Sequence, residues 1–198
     1  MSPLPLIYLC RHGQTDWNAA GRLQGQSDIP LNRVGLAQAK RNGRYLRNVL
    51  GAGADGFRFV SSPMQRAADT MRIIRQEIGL DPEGFEADER LKEIHFGDWQ
   101  GFTVRQLRER SPTEADARER DKWNFRPPGV GAETYASLAE RVAPVFRELT
   151  TPAVVVAHGG ITRTFLQVFG GYTPHDASHI DIPQDRILRI QDGVIAWV

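Results

Sequence analysis

The sequence predicts an α/β fold, a three-layer sandwich in which helices flank a mostly parallel central sheet. Two short, continuously apolar runs, at 6–10 and 154–157, are typical of strands buried on both faces. Segments with apolar residues at helical spacing follow such runs, and this alternation favours a sheet of parallel strands. The chain has 198 residues without an internal repeat or a low-complexity linker, so we expect a single domain over 1–198.

The first half of the chain predicts three strands and two helices. Strands are expected at 6–10, 57–61 and 85–87. Asn32 is expected to cap a helix that runs to Leu50. Its inner side is expected to consist of Val34, Ala37, Tyr45, Leu46 and Val49. A second helix is expected to follow a capping box at 62–65, with Pro63 as its first residue. It should bury Ala67, Met71, Ile74 and Ile78.

The second half predicts a small helical lid and a terminal hairpin. The polar stretch 103–126 is typical of two short helices, and it is the candidate lid. A helix over 135–149 has a regular apolar stripe, with a kink expected at Pro144. The strand at 154–157 leads into a helix that ends near 169. The turn residues Asp192 and Gly193 predict a hairpin of the two last strands.

Composition excludes several classes of protein. The 25 Lys and Arg against 24 Asp and Glu give a net charge of +1, which argues against a nucleic-acid binder or a polybasic membrane protein. No apolar stretch is long enough to span a membrane, and the first ten residues lack the basic region of a signal peptide. The single cysteine, Cys10, excludes an internal disulfide and is expected to be a small buried hydrophobe. We therefore expect a cytoplasmic enzyme.

Two apparent ligand motifs do not support a cofactor or a metal. The glycines of 51–56 match G-x-G-x-x-G but follow a helix and precede a strand, the reverse of the dinucleotide-binding order. His175 and His179 have the spacing of a helical metal pair. Because no third ligand has a recognisable spacing, we interpret both as surface histidines. No cofactor and no metal are expected.

Two histidines and two arginines are expected to meet at one edge of the sheet. Arg11 and His12 follow the first strand, Arg66 lies one turn after the second, and His158 follows the strand at 154–157. Ligands of open α/β sheets bind outside the carboxyl ends of the strands. Four such groups would be buried there without partners, and a phosphoryl group would supply those partners because arginines grip its oxygens bidentately.

The same residues suggest a chemistry for that phosphoryl group. A neutral imidazole is a competent nucleophile toward phosphorus, and nearby guanidinium groups favour its unprotonated form. We expect His12 to take this role, with its other ring nitrogen held by a backbone carbonyl. His158 is expected to act as a charged donor to the transition-state oxygens. The amides of Gly159 and Gly160, at a helix N-terminus, are expected to favour the anion.

Six separated segments carry a family resemblance. Residues 9–18 contain the pattern R-H-G-x-T-x-W-N, and the others follow in order at 21–25, 28–31, 61–67, 91–101 and 157–160. Together they resemble the histidine phosphatase superfamily, also called the phosphoglycerate mutase-like family. The resemblance extends from about residue 6 to residue 169.

The resemblance implies a role for each matching residue. It implies that His12 becomes a phosphohistidine, that Arg11, Arg66 and His158 bind the phosphoryl oxygens, and that Glu93 is the proton donor. Expelling an alkoxide at neutral pH requires such an acid. The resemblance also implies substrate or phosphate contacts at four positions: Asn18, Gln24, Gly25 and Gly159. Apart from the resemblance, two interpretations are open for four residues of the 103–126 stretch: contacts to the leaving group or a solvated helix face. These residues are Arg105, Arg108, Lys122 and Trp123.

The resemblance favours the phosphatase branch of this family. Its mutases have a longer insertion with paired arginines, whereas 103–126 is short and has no Arg-Arg pair. Residues 127–134 resemble the P-x-G-E-[ST] pattern of broad-specificity and α-ribazole phosphatases, although the spacing at 130–132 departs from it. We expect a metal-independent phosphomonoester hydrolase of the histidine acid type, acting on a small phosphorylated metabolite. The alternatives are a cofactor-dependent phosphoglycerate mutase and a catalytically silent phosphate-binding relative.

Overall fold

A six-stranded mixed sheet lies at the centre of the computed structural model, which describes residues 4–198. The strands are β1 (Ile7–Arg11), β2 (Arg58–Ser61), β3 (Glu86–Ala87), β4 (Ala153–Ala157), β5 (Ile187–Gln191) and β6 (Val194–Trp197). Their order is β3-β2-β4-β1-β5-β6, with β3, β2, β4 and β1 parallel. The antiparallel strands β5 and β6 form the predicted hairpin, in which Asp192 has a φ of 50°. The mostly parallel sheet is confirmed.

Helices cover both faces of this sheet, as predicted. They are α1 (Asp16–Ala19), α2 (Arg33–Leu50), α3 (Gln65–Ile78), α4 (Val104–Arg110), α5 (Pro112–Arg120), α6 (Tyr135–Arg147), α7 (Gly159–Phe169) and α8 (Pro174–His179). Alternate residues of β1 point to opposite layers. Tyr8 and Cys10 join the core shared with α2 and α3, whereas Ile7 and Leu9 join the core shared with α6 and α7. Cys10 is fully buried, as expected.

The inner face of α2 differs from the prediction. Asn32 caps the helix as expected, accepting from Gly35 N at 2.9 Å. However, Val34, Ala37 and Val49 are exposed, Tyr45 is half-buried, and only Leu46 of the predicted set is fully buried. The buried positions are mainly small, at Gly35, Ala39 and Gly43. A Cβ at Gly43 would lie 2.7 Å from the Glu77 Cβ on α3, so the two helices pack too closely for larger side chains.

The predicted capping box of α3 is wrong. The helix begins at Gln65, with Met64 as its N-cap residue and no side-chain capping bond. Ser62 lies outside the helix, where its hydroxyl accepts from Met64 N at 3.3 Å and pairs with His158 Nε2 at 2.8 Å. The Ser62 hydroxyl, which the sequence pattern assigned to the helix cap, therefore contacts His158 at the carboxyl edge of the sheet.

The 103–126 segment forms two short helices, α4 and α5, as the sequence predicts. Pro144 lies inside α6, and the kink there stays a prediction. Across residues 4–198, no helix combines the length and apolar character needed to cross a membrane.

Candidate active site

The carboxyl ends of β1, β2 and β4 form the floor of the site. These strands are neighbours, and two backbone bonds keep their ends level: His12 N donates to Ala157 O at 2.9 Å, and Ser62 N donates to Val156 O at 3.0 Å. The structure therefore brings His12 and His158 together, with ring centroids 5.1 Å apart. Arg66, in the first turn of α3, reaches the same place.

His12 is held in one protonation state by its two neighbours. Its ring is 2% exposed; Nδ1 pairs with Gly13 O at 2.7 Å, and Nε2 accepts from Arg66 Nε at 3.2 Å. A guanidinium can only donate, so Nε2 carries a lone pair and Nδ1 carries the proton. Burial, followed by the charges of Arg66 and Arg11, lowers the pKa of His12 well below its usual value. The ring is therefore neutral at neutral pH.

Arg66 is fully buried and ties His12 to the loop after α1. Besides its bond to His12, it donates from Nη1 to Ser27 O and from Nη2 to Gly25 O, both at 2.8 Å. Burial lowers the pKa of Arg66, and the charges of Glu93 and Asp28 act in the opposite direction. Its side chain is thus fixed before any ligand arrives, a form of preorganisation.

Arg11 and His158 each have a buried polar atom without a hydrogen-bond partner in the described part of the chain. These atoms are Arg11 Nε and His158 Nδ1. Arg11 is otherwise anchored by a 2.6 Å bond from Nη1 to Ile182 O, and burial lowers its pKa to about 10. Buried polar atoms normally have partners, so both unpaired atoms are explained by a ligand that carries several oxygens.

His158 is neutral in the ligand-free site. Burial, followed by the charge of Arg66, lowers the pKa of His158 well below its usual value, and its role as a charged donor in the transition state stays a prediction. Its Nε2 pairs with Ser62 Oγ at 2.8 Å. The Ser62 hydroxyl accepts from Met64 N and can donate to Nε2. That arrangement places the ring proton on the unpaired Nδ1.

Glu93 lies at the N-terminus of α7. Gly160 N donates to both carboxylate oxygens, at 3.1 and 3.2 Å, and Ile94 N donates to Oε1 at 3.0 Å. A Cβ at position 160 would overlap Glu93 Oε1, so the close approach requires glycine. The Gly160 amide, expected from sequence to favour the phosphoryl anion, is therefore engaged by a carboxylate of the chain itself.

The residues expected to contact the substrate all line one cavity: Asn18, Gln24, Gly25 and Gly159. Thr15 Oγ1 donates to Gln24 Oε1 at 2.9 Å, and Gln184 Nε2 donates to Asn18 Oδ1 at 3.1 Å. Both amide oxygens are thus used internally, which leaves the NH₂ groups to donate to a ligand. Gln184 also donates to His12 O at 3.1 Å, a contact that no sequence motif indicated.

The cavity has a volume of about 170 Å³ and is strongly cationic. Its basic lining residues are Arg11, Arg22, Arg66, Arg118, Lys122 and Arg163. Glu93 is the only carboxylate in this lining, as far as the described residues extend. A chain with a net charge of +1 has therefore concentrated positive charge at one place, which attracts anions.

Only part of the outer wall of the cavity, formed by Arg118, Lys122, Tyr135 and Arg163, was expected from sequence. Lys122 lines the cavity, but Arg105 is exposed, Arg108 pairs with Glu119 at 3.2 Å, and Trp123 is buried. The lining residues that were not expected from sequence are Arg22, Leu23, Phe96, Arg118, Tyr135 and Arg163. Arg163 lies four residues after Gly159 in α7, a helical spacing that could have revealed it. Arg118 has no such signal, because α5 lacks an apolar stripe.

His175 and His179 lie on α8, and their rings stack with centroids 4.5 Å apart. Among residues 4–198, no group of three or more His, Cys, Asp or Glu side chains could hold a metal ion.

The fold and the cavity together define an α/β protein whose strand ends gather a neutral histidine, a second buried histidine and two arginines beside a cationic cavity. A family model described as the histidine phosphatase superfamily (branch 1) matches residues 7–192. The chain therefore belongs to this superfamily.

Curated relatives include phosphatases and mutases. The chain is 34% identical over 167 residues to glucosyl-3-phosphoglycerate phosphatase of Mycolicibacterium vanbaalenii (78% of this chain, 69% of the relative). It is 36% identical over 166 residues to metal-independent phosphoserine phosphatase of Arabidopsis thaliana (79% of this chain, 65% of the relative). It is 29% identical over 187 residues to 2,3-bisphosphoglycerate-dependent phosphoglycerate mutase of Beijerinckia indica (89% of this chain, 86% of the relative).

Solved structures agree with this assignment. The native mycobacterial glucosyl-3-phosphoglycerate phosphatase superposes with a TM-score of 0.78 at 28% identity, covering 93% of this chain and 89% of that one. The same enzyme complexed with VO₃ also gives a TM-score of 0.78, at 29% identity over 98% of this chain and 96% of that one.

Proposed function

We propose that the chain is a metal-independent phosphomonoester hydrolase that acts on a small phosphorylated metabolite through a phosphohistidine at His12. The observation that carries this proposal is the fixed tautomer of His12. Its Nε2 lone pair lies in the cationic cavity, while Nδ1–H is bonded to Gly13 O. A neutral, oriented imidazole beside two guanidinium groups has what a nucleophile toward phosphorus requires.

Oxygens of the phosphoryl group are bound, in this proposal, by Arg11, Arg66 and His158. Arg11 Nε and His158 Nδ1 are the two unpaired buried atoms, and a phosphoryl oxygen satisfies each of them. The amide groups of Asn18 and Gln24, with the backbone at Gly25 and Gly159, complete the cradle. These contacts neutralise the charge that develops on the equatorial oxygens.

The reaction then has two halves. Arg66 Nε first transfers its hydrogen bond from His12 Nε2 to a phosphoryl oxygen, which frees the lone pair. Nε2 of His12 then forms a bond to phosphorus as the bond from phosphorus to the leaving oxygen breaks, and Glu93 gives the leaving oxygen a proton. The Nδ1–H bond to Gly13 O stabilises the positive charge that appears on the ring. In the second half, Glu93 takes a proton from a water whose oxygen attacks phosphorus, and the bond to His12 breaks. Glu93 fits both tasks as the carboxylate that lines the cavity.

The size of the cavity supports a small substrate. Pockets for drug-sized ligands measure about 300–1,000 Å³, whereas this one has about 170 Å³. The relatives named for phosphoserine and glucosyl-3-phosphoglycerate act on compounds of the expected kind. No cofactor is needed, because the arginines and His12 supply charge and nucleophile.

A phosphoglycerate mutase is the second candidate, since a mutase relative matches 89% of the chain. The short 103–126 segment, without paired arginines, favours hydrolysis over protection of the phosphohistidine from water.

The test is hydrolysis of an aryl phosphate in the presence of a chelator, comparing the wild type with His12→Ala and assaying 3-phosphoglycerate in parallel. We expect release of inorganic phosphate by the wild type alone. Isomerisation of phosphoglycerate without release of phosphate would identify a mutase instead. If neither assay shows turnover and His12 carries no phosphoryl label, the chain is instead a catalytically silent phosphate-binding member of the superfamily.

A further inference from the structure

The segment that carries Glu93 has no regular secondary structure of its own. It follows the short 3₁₀ turn Glu89–Leu91, and residues 93–96 belong to neither a helix nor a strand. The side chains of Leu91 and Ile94 are buried and anchor the segment in the core. Because no helix or sheet ladder runs through it, its backbone carbonyls need donors from another part of the chain.

Arg141, on α6, supplies these donors. Its Nη1 donates to Arg90 O at 2.7 Å and to Lys92 O at 3.0 Å, and its Nη2 reaches Glu93 O at 3.5 Å. Two further bonds run to Glu133, from Nε to Oε1 and from Nη2 to Oε2, both at 2.8 Å. A guanidinium has five N–H donors, so every donor of Arg141 has an acceptor.

Glu133 holds the same segment at a second point. It lies just before α6, and its bidentate pair with Arg141 is mostly buried, with the two side chains 19% and 23% exposed. Glu133 Oε2 also accepts from His95 N at 3.0 Å, and Glu133 N donates to His95 O at 2.9 Å. The pair therefore fixes the backbone on both sides of Glu93.

The Glu93 carboxylate depends on this backbone for its position. It accepts from Gly160 N at the end of α7 and from Ile94 N of its own segment. A displacement of the segment would move the carboxylate relative to the leaving oxygen, and a misplacement of about 1 Å can cost about a hundredfold in rate. Glu133 and Arg141 do not line the cavity, so any effect that they have on the reaction passes through another residue.

We propose that Glu133 and Arg141 are positioning residues, which hold the Glu93 carboxylate where the leaving oxygen takes its proton. This inference rests on the proposed role of Glu93 and extends it to an ion pair outside the cavity. If the pair positions Glu93, weakening it should slow each ester according to how much its leaving group needs a proton. If the pair only stabilises α6, all esters should be affected alike.

Two esters that differ in their leaving group test the proposal. The leaving group of 4-nitrophenyl phosphate needs little protonation, whereas that of phenyl phosphate needs more. We compare kcat/KM, because this quantity covers formation of the phosphohistidine but not its hydrolysis. Arg141→Lys keeps the charge but not the planar fork of donors, and Glu133→Gln keeps the size but removes one acceptor oxygen. We expect each variant to lose about tenfold with phenyl phosphate and about threefold at most with 4-nitrophenyl phosphate.

Arg72→Lys is the matched control. Arg72, on α3, also pairs with two carboxylates, those of Asp69 and Glu83, but it does not line the cavity or contact the Glu93 segment. The ratio of the two esters should be unchanged in this variant. Urea unfolding reports whether each protein folds, and the two test variants are independent, so either one is sufficient.

A double variant gives the sharpest readout. In a Glu93→Gln background, Arg141→Lys should not change the ratio further, because the residue through which it acts is already disabled. Equal losses with both esters, or a further change of the ratio in the Glu93→Gln background, would overturn the inference. Hydrolysis of 4-nitrophenyl phosphate by the wild type would then still support the proposed function, whereas its absence would overturn both.

Discussion

Arg66 Nε donates to His12 Nε2 over 3.2 Å, so a buried cation and not a carboxylate is the direct partner of this histidine. An aspartate partner would favour a charged imidazole, whereas a guanidinium requires a lone pair on Nε2. Burial, followed by the charges of Arg66 and Arg11, lowers the pKa of His12 well below its usual value. The ring is therefore neutral across the physiological range, as the proposed role of nucleophile requires.

Replacing His12 by alanine should reduce turnover by at least ~10³-fold, because the account gives no other group the role of nucleophile. The loss of its ring also leaves Arg66 Nε unpaired and buried, at a cost of about 1–3 kcal/mol in the free energy of unfolding. Steady-state kinetics and urea unfolding measure the two effects. His175→Ala is the control, since His175 is 77% exposed on α8. Hydrolysis by a folded His12→Ala protein at near wild-type rates would rule out the phosphohistidine route.

Glu93→Gln should separate alkyl from aryl esters. Glutamine keeps an oxygen that accepts from Gly160 N but cannot supply the proton that an alkoxide leaving group needs. We expect a loss of ~10²–10⁴-fold with an alkyl phosphate and a much smaller loss with a nitrophenyl phosphate. Equal losses with both esters would remove Glu93 from the role of general acid.

Gly160→Ala should reproduce the signature of Glu93→Gln without altering the carboxylate. A Cβ at position 160 would overlap Glu93 Oε1, so the side chain has to leave the N-terminus of α7. Hydrolysis of alkyl esters should fall more than that of aryl esters. Gly53→Ala is the matched glycine control, because no atom lies within 4 Å of its Cβ position. If the ratio of the hydrolysis rates of alkyl and aryl esters is the same for Gly160→Ala and the wild type, the position of Glu93 at this helix end does not contribute to catalysis.

Stability should fall in acid partly because His158 is buried and neutral. Its folded-state pKa lies well below its usual value of 6.5, so only the unfolded chain takes up this proton as the pH falls below about 6.5. The contribution of the neutral His158 to the free energy of unfolding is fully present above pH 6.5. It declines below that pH by about 1.4 kcal/mol per pH unit. We expect the free energy of unfolding of His158→Asn, measured with urea between pH 7.5 and 5, to depend less steeply on pH than that of the wild type. The difference should correspond to the uptake of about one proton fewer on unfolding. A slope identical to that of the wild type would contradict this assignment.

Activity should be insensitive to chelators. In the proposed mechanism Arg11 and Arg66 supply the positive charge at the phosphoryl site and His12 supplies the nucleophile, so no step calls for a metal ion. Initial rates should agree within error before and after dialysis against a strong chelator. A loss of activity that added Mg²⁺ or Zn²⁺ restores would contradict the mechanism.

Sequence patterns could predict the strand ends but not the details that depend on packing. Arg11, His12 and His158 directly follow apolar runs, so the sheet edge that they share could be inferred from topology. The role of Ser62 could not be inferred in this way. A serine at this position can cap the helix or pair with His158, and only the three-dimensional structure shows that it pairs with His158. Tertiary packing likewise decided the inner face of α2.

The outer wall of the cavity lay furthest from prediction. Arg118 on α5 and Arg163 on α7 lie 45 residues apart in the chain, and only Arg163 has a helical spacing from a motif residue, Gly159. Their cluster exists only because α5 and α7 meet at the same cavity. The residues at the strand ends were therefore predictable from local motifs, whereas the outer wall depends on contacts between distant elements.

The most direct test of the account is to identify the phosphorylated atom. The protein is mixed with a phosphate ester, quenched in alkaline denaturant, which preserves phosphohistidine, digested, and analysed by mass spectrometry beside His12→Ala. We expect a phosphoryl group on the peptide that contains His12 and none on the variant. A phosphoryl group on any other residue, or hydrolysis by the wild type without a phosphoenzyme in rapid-quench samples, would contradict it.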